Sequence, residues 1–226
     1  MFHGIGDPPS TATAFEAQFW VDPNRFRQLM DCMADYDDYE ITFDDGNRSD
    51  IDIVMPILQD RDLTAHFFVL ADRLNNPGSL GPADLRAMAD AGMMIGSHGL
   101  RHRAWSELSE SELHDELAVS REVLSNAVGQ EVTTASVPFG RYNRAVLRAL
   151  QRHGYQRVYT SDGGRASPKA WMVPRTAIVR NDGPEALKRL LRPDLVTAAR
   201  QQARYCYRRL RASVAGTIVK SHLFDL

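Results

Sequence analysis

The chain has 226 residues and a mass of 25.4 kDa, a length that fits one α/β domain. Its 27 basic and 29 acidic side chains leave a formal charge of −2, and 43% of its residues are apolar. These values are typical of a globular protein. They argue against a disordered tail protein, a collagen-like chain, or a binder of nucleic acid and other polyanions.

The sequence shows few features of an exported, disulfide-bonded or membrane-spanning protein. Its two cysteines, Cys32 and Cys206, are too few for a secreted disulfide scaffold. The first residues lack the basic and apolar regions of a signal peptide, and no window approaches the ~18 apolar residues of a membrane span. We therefore expect a cytoplasmic protein without a transmembrane segment. The oligomeric state stays open.

Short apolar runs with β character alternate with helical patterns along the chain. Strands are predicted at 1–5, 39–43, 65–70, 93–97, 134–137, 157–160 and 171–179, and helices at 82–92, 109–129, 143–154 and 195–211. Proline or a capping residue starts several of these helices, and glycine ends them. The alternating order predicts a mainly parallel sheet or barrel covered by helices, in which chemistry collects at the C-terminal ends of the strands.

Two adjacent carboxylates, Asp44 and Asp45, directly follow the predicted strand at 39–43. Adjacent side chains in a strand do not share one orientation, so one of them can bind a cation while its neighbour approaches a water molecule. Gly46 then allows the positive φ of a sharp turn. Asp-Asp-Gly is also ordinary turn chemistry, so this tripeptide does not establish a site by itself.

Two histidines, His98 and His102, follow the predicted strand at 93–97. Four residues apart, they lie on one face if the segment coils by a turn, and both can then reach one metal ion at the ~2.0–2.1 Å of zinc–nitrogen bonds. The alternative is a pair of solvated histidines. Together with the carboxylates at another strand end, the pair favours a site with two histidines and one aspartate, which leaves coordination positions open as catalytic sites do.

The order of these motifs resembles that of the NodB-type polysaccharide deacetylases, carbohydrate esterase family 4. The segment T-F-D-D-G at 42–46 resembles the first family motif, S-H-G-L-R-H at 97–102 the second, and V-P-F-G at 137–140 a shortened third. The match is good over roughly residues 36–160. It implies a distorted, incomplete barrel of the (β/α)7 type formed by residues 1–226, with 186–215 as a basic C-terminal helical segment.

The resemblance also implies roles for the residues at the strand ends. Asp44 corresponds to the general base, and Asp45, His98 and His102 correspond to the ligands of one divalent metal ion. Zinc is the default ion, and the same ligand set also suits cobalt, manganese, nickel or iron.

Further roles are implied by the third and later motifs. The backbone N–H of Phe139 corresponds to an oxyanion donor, Pro138 is expected in the substrate site, and His222 corresponds to the general acid near the chain end. Asp162 is the nearest match to the acidic residue of the fourth motif, which is otherwise poorly represented.

The third motif of the family usually carries an arginine that orients the base, and here Ser136 occupies its position. Arg175 resembles an arginine found late in many members. We expect it to replace the missing arginine or to contact the substrate, and the alternative is a structural or surface ion pair.

Two other histidines carry weaker signals. His3 follows the first strand and either lines the cleft or packs in the core. His66 lies within an apolar strand and is expected in the core.

The family resemblance implies a metal-dependent hydrolase that removes acetyl groups from a sugar or polysaccharide. N-acetyl groups are favoured over O-acetyl groups as the substrate. The bond cleaved is a carbon–nitrogen bond other than a peptide bond, and the partner is the acetylated glycan. One alternative is a hydrolase of cyclic amides or ureides on the same barrel. Another is a degenerate glycan-binding protein without turnover, which the missing arginine would favour.

The basic segment near the C-terminus has a pattern of its own. Residues 186–211 carry eight lysines and arginines against one acidic residue, Asp194. Within the helix predicted at 195–211, four positions form an apolar line opposite the arginines, namely Ala199, Ala203, Cys206 and Leu210. We expect this helix to pack on the barrel, with arginines reaching to solvent. Contact with anionic glycan, lipid headgroups or an acidic partner is the alternative.

Overall fold

The computed structural model describes residues 1–34 and 36–214, and its centre is a six-stranded parallel sheet curled into a half-barrel. A small parallel sheet of β1 (Gly4–Ile5) and β2 (Trp20–Val21) precedes it. The large sheet contains, side by side in chain order, β3 (Thr42–Asp45), β4 (His66–Val69), β5 (Met94–Ser97), β6 (Thr134–Ser136), β7 (Arg157–Thr160) and β8 (Met172–Pro174). A bridge between Phe2 and Phe43 attaches the small sheet to the edge strand β3.

Helices connect the strands, as parallel neighbours require. They are α1 (Ala14–Ala17), α2 (Pro23–Met33), α3 (Met55–Gln59), α4 (Pro82–Asp90), α5 (Glu110–His114), α6 (Ser120–Val128), α7 (Arg144–Arg152), α8 (Pro184–Leu191) and α9 (Leu195–Val214). Proline starts α2, α4 and α8, where its fixed φ suits the first turn. Two π-helical segments, Asp50–Val54 and Asp115–Val119, precede α3 and α6. Among the described residues, no helix is both long and apolar enough to cross a bilayer.

Aromatic side chains pack the outer side of β3 and β4. The Phe43 ring stacks on Phe2 at 5.3 Å and on Phe67 at 4.9 Å between centroids, and Phe26 of α2 packs edge-on against Phe43. Because side chains alternate along a strand, Phe43 on this side places Thr42 and Asp44 on the concave side of the sheet. The core therefore fixes which face of β3 carries the carboxylate.

The predicted fold class is confirmed, since a parallel sheet covered by helices forms an incomplete barrel. Each of the seven predicted strands overlaps an observed one. The helix predicted at 109–129 is present but is interrupted by the π-helical segment. The sequence patterns gave no prediction for β2, which has only two residues, or for the helices α1, α2 and α3, whereas α8 lies mostly within the segment 186–215 that was expected to be helical.

The basic segment forms two helices, α8 and α9, and α9 packs on β8 through a side other than its apolar line. Its apolar line of Ala199, Ala203, Cys206 and Leu210 is exposed. Tyr205 is the residue that docks the helix, because it is buried and its hydroxyl donates to the carbonyl of Met172 at 3.3 Å. One large aromatic ring buries more area than small residues such as alanine, and it decides which side of the helix faces the sheet.

A buried histidine lies on the concave side of the sheet, as expected for His66. Its Nδ1 is 3.2 Å from the hydroxyl of Tyr159, which donates to Glu40 at 2.7 Å. Burial lowers the pKa of His66 to about 4, although Glu40 opposes the shift. The folded protein therefore holds His66 neutral in a pH range where the unfolded chain protonates it.

This difference predicts a loss of stability in mild acid. Because the folded pKa of His66 lies below the unfolded value of about 6.5, the unfolded state takes up the extra proton as the pH falls from about 6.5 towards 4. Between pH 7 and pH 5, His66 should contribute a loss of about 2 kcal/mol in unfolding free energy.

The measurement is denaturant unfolding of the wild type and of His66→Asn at both pH values. The variant keeps a donor near Tyr159 and should lose less stability on acidification. The other buried histidines act equally in both proteins, so the difference isolates His66. Substitution of the exposed His114 by Asn is the control and should behave as the wild type. Equal acid sensitivity of His66→Asn and wild type would refute the prediction.

Candidate metal centre

Three side chains meet at the C-terminal end of the sheet, as the sequence predicted. Asp45 ends β3, whereas His98 and His102 follow β5. The Oδ1 atom of Asp45 lies 3.7 Å from Nε2 of His98 and 3.7 Å from Nε2 of His102, and the three ligand atoms lie within 4.8 Å of one another. This Oδ1 is buried without a hydrogen-bond partner among the described residues. Spacing and donor types fit one divalent ion, with zinc–nitrogen and zinc–oxygen bonds of ~2.0–2.2 Å.

The backbone is strained at two of these three residues. Asp45 has φ 85° and His102 has φ 55°, both in the left-handed region that side chains other than glycine rarely adopt. Such positions cost of order 1–3 kcal/mol each and persist where the surrounding structure holds them. At Asp45 the distortion turns the side chain out of the strand alternation, so that Asp44 and Asp45 line the same cavity.

His98 is held in one tautomer by the next strand along the chain, β6. Its Nδ1 lies 3.0 Å from the carbonyl oxygen of Ser136 at the end of β6. A carbonyl only accepts, so Nδ1 carries the proton and Nε2 presents its lone pair towards Asp45. Burial lowers the pKa of His98 to about 4, against the opposing effect of Asp44. The ring is therefore neutral at ordinary pH, as a metal ligand must be.

A buried glutamate organises the loop between the two histidines. Glu116 accepts hydrogen bonds from the backbone N–H of Leu100 at 2.8 Å and of Arg101 at 3.1 Å. Gly99 makes room for it, because a Cβ atom there would lie 2.7 Å from Oε2 of Glu116. Glu116 lies in the π-helical segment Asp115–Val119, a type of distortion often found at functional sites.

Asp44 forms a buried bidentate ion pair on the concave side of the sheet. Both guanidinium Nη atoms of Arg175 donate to its two carboxylate oxygens at 2.7 Å. Ser136 donates to Oδ2 at 3.1 Å and accepts from Arg175 at 2.6 Å. Burial acts to raise the pKa of Asp44, but the charge and hydrogen bonds of Arg175, together with the nearby His98 and His3, outweigh it and hold the pKa well below its usual range. Arg175 therefore lies against the carboxylate and not on the protein surface.

A cavity of about 590 Å³ opens over this cluster, a volume within the range of small-ligand sites. Its floor contains Asp44 and the three candidate metal ligands. The walls include Phe139, Phe15 and Phe19. His3 also lines the cavity, where its ring lies 4.8 Å from that of Phe19 and burial lowers its pKa despite the opposing charge of Asp45.

The remaining predicted residues occupy different positions. Phe139 lies in the cavity wall, with φ 57° and its ring 4.4 Å from that of His102. Pro138 is buried behind that wall. Asp162 is buried away from the cavity and accepts from Tyr142 at 2.6 Å and from Thr160 at 2.9 Å. His222 lies outside the described residues.

Two residues of the candidate site, Glu116 and Ser136, were not predicted from the sequence to have their observed roles. Glu116 offered a signal, since it is a charged residue on the apolar side of a helix between Leu113 and Leu117. Ser136 was read only as the place of a missing arginine. Its double role, towards His98 through the carbonyl and towards Asp44 through the hydroxyl, depends on packing between strands.

Comparison with known proteins gives consistent results. A sequence profile described as polysaccharide deacetylase matches residues 35–158. The putative polysaccharide deacetylase YxkH of Bacillus subtilis is 32% identical over 127 residues, which cover 56% of this chain and 46% of YxkH. The peptidoglycan-N-acetylmuramic acid deacetylase PdaA of the same organism is 26% identical over 151 residues, covering 62% of this chain and 56% of PdaA. The chain thus spans about half the length of these curated relatives.

A solved structure has a similar fold. The deacetylase PplD of Streptococcus pyogenes, in complex with acetate, superposes with a TM-score of 0.76 at 24% sequence identity. The superposition covers 85% of this chain and 96% of that one. At this identity the similarity establishes the fold.

The position of Glu116 predicts an effect on metal binding. Glu116→Gln keeps one acceptor oxygen but removes the charge, so the loop that carries His102 is held less firmly. We expect affinity for zinc to fall about tenfold, in the range known for groups that orient metal ligands. Competition with a coloured chelator measures this affinity. Glu112→Gln, one turn earlier in α5 and half-exposed, is the control. Unchanged affinity of Glu116→Gln would remove Glu116 from this role.

Proposed function

Because the chain belongs to the polysaccharide deacetylase family, we propose that it is a metal-dependent hydrolase that removes acetyl groups from a sugar or polysaccharide, with N-acetyl groups as the favoured substrate. The observation that carries the proposal is the meeting of Asp45, His98 and His102 beside a buried, ionised Asp44 in one cavity. The curated relatives, which include a deacetylase of peptidoglycan, support the same reaction class.

Asp45, His98 and His102 hold the divalent ion in this proposal, with zinc as the default and cobalt, manganese, nickel or iron as alternatives. When bound, such an ion supplies Lewis acidity, which polarises a carbonyl oxygen and lowers the pKa of a water molecule. The chain contributes a neutral His98 with its Nε2 lone pair directed at Asp45 and an Asp45 oxygen left without another partner.

Asp44 is the general base. Its Oδ2 lies 3.9 Å from Nε2 of His98 and so faces the candidate metal site. A water molecule that attacks the acetyl carbonyl carbon forms the new carbon–oxygen bond and gives its proton to Oδ2. Cleavage of the carbon–nitrogen bond then yields acetate and the free amine. Arg175 acts as a positioning residue, because it fixes both oxygens of Asp44 and keeps the carboxylate ionised.

The backbone N–H of Phe139 is the proposed donor to the oxyanion that develops on the acetyl oxygen. Buried Pro138 serves this role by fixing the turn that carries Phe139, and substrate contact comes from the exposed Phe139 ring. His222 stays the proposed general acid that protonates the leaving amine. The missing arginine of the third motif was the main support for a protein without turnover. In this proposal Arg175 contacts Asp44 in place of that arginine, whose position Ser136 occupies.

The proposal predicts acetate release that depends on both parts of the site. Incubated with zinc and soluble N-acetylated chito-oligosaccharides, the wild type should release acetate and expose amines. Asp44→Asn should keep its metal and lose at least about 100-fold in kcat, because the proton acceptor is gone. His98→Ala should lose the metal itself, as measured by elemental analysis, with circular dichroism as the control for folding.

Three outcomes would contradict the proposal. They are ring-opening of small cyclic amides without acetate release, glycan binding without turnover in zinc or cobalt, and full activity of Asp44→Asn.

A second prediction concerns the pH profile. Removing the positive charge in Arg175→Gln raises the pKa of Asp44, since burial is then unopposed by that charge. The acid limb of the kcat/KM profile should move to higher pH and kcat should fall, because Asp44 becomes protonated in a range where the wild type is ionised. Arg175→Lys retains the charge and should restore part of the acid limb.

Ser136→Ala is the matched control for this prediction. It removes one hydrogen bond from Asp44 and leaves the cation in place, so the acid limb should move less than in Arg175→Gln. Thermal unfolding of each variant separates this effect from a loss of folding. An acid limb that does not move in a folded Arg175→Gln protein would rule out the positioning role.

A further inference from the structure

Helix α9 exposes its apolar side. The buried side carries Tyr205, while Thr197 and Gln201 beside it are half-buried. The other side carries the exposed large apolar residues Leu195 (90% exposed), Val196 (60%), Tyr207 (59%) and Leu210 (62%).

Smaller residues join these four into one continuous surface. Ala199, Ala203 and Cys206 are exposed as well. At about 100° per residue, the seven positions fall within an arc of about 120° along a helix of about 30 Å. We call this surface the α9 stripe. It is defined by Leu195, Val196, Ala199, Ala203, Cys206, Tyr207 and Leu210.

The charge of α9 points to the partner of the stripe. The sequence from 195 to 214 contains five arginines and no acidic residue. Arg200 is exposed and, at about 100° per residue, lies next to the stripe on the helix surface. The partner therefore offers negative charge next to an apolar phase.

A bilayer surface matches both features better than a second copy of the chain or a glycan does. A second copy of this chain would bring five positive charges against five, which opposes pairing along the stripe. An anionic glycan would satisfy the arginines but would leave Val196 and Leu210 in water. A bilayer with anionic headgroups accepts apolar side chains below a layer of negative charge, and this is the pattern of helices that lie in a membrane interface.

We propose that the α9 stripe binds the surface of an anionic bilayer, so that the protein associates peripherally with the membrane. The helix lies in the plane of the interface, with Val196 and Leu210 inserted and Arg200 at the headgroups. This inference is independent of the metal centre, and its test does not require turnover.

The experiment is sedimentation of the full chain with lipid vesicles. Vesicles of phosphatidylcholine with about 30% phosphatidylglycerol should bind it at least about tenfold more tightly than pure phosphatidylcholine, and salt should weaken the binding. The double variant V196Q/L210Q should reduce binding at least about tenfold. Both residues are exposed, so the variant should retain its thermal stability and its acetate release from a soluble substrate.

Matched controls separate the stripe from general surface effects. Val119→Gln removes an exposed apolar side chain elsewhere (38% exposed) and should bind vesicles as the wild type does. Arg200→Gln should weaken binding, whereas Arg152→Gln, an exposed arginine on α7, should have less effect.

The proposal is overturned by equal affinity for both kinds of vesicle, or by unchanged binding of V196Q/L210Q. It is also overturned by a dimer in sedimentation velocity that V196Q/L210Q dissociates, because the stripe would then be a contact between copies.

Discussion

The ion pair between Asp44 and Arg175 joins the two edges of the large sheet. Asp44 belongs to β3 at one edge, and Arg175 directly follows β8 at the other. Arg175 also donates to Thr42, so three contacts connect the edge strands across the concave side. A buried ion pair costs desolvation, and removing one partner leaves a buried charge uncompensated. An interaction that connects the two edges of the half-barrel thus also keeps the candidate base ionised.

The site combines a regular sheet with local departures from regularity. The parallel register brings the C-terminal ends of β3, β5 and β6 to the same end of the sheet, which explains why distant segments of chain meet there. Regular alternation alone would place Asp44 and Asp45 on opposite faces. The left-handed backbone at Asp45 removes this separation and lets consecutive carboxylates take different roles in one cavity.

Much of this arrangement was predictable from the sequence, and the rest required contacts. The spacing of His98 and His102 and the strands before them predicted the triad, because both signals are local. The Arg175 contact was only one of several possibilities, since its partner Asp44 is 131 residues away and no spacing encodes it. Amphipathic patterning identified the apolar side of α9 but did not predict that this side is exposed, because the pattern does not say whether protein or another phase covers it.

The π-helical segment before α6 makes the position of Glu116 depend on the number of residues in that segment. Glu116 reaches the loop after His98 from a turn that is wider than an α-helical one. Deleting a single residue there would rotate the preceding residues by about 100° relative to α6 and swing the carboxylate away from the loop. Homologues that diverge freely in amino-acid identity along this helix are therefore expected to conserve the number of residues between Glu116 and Ser120.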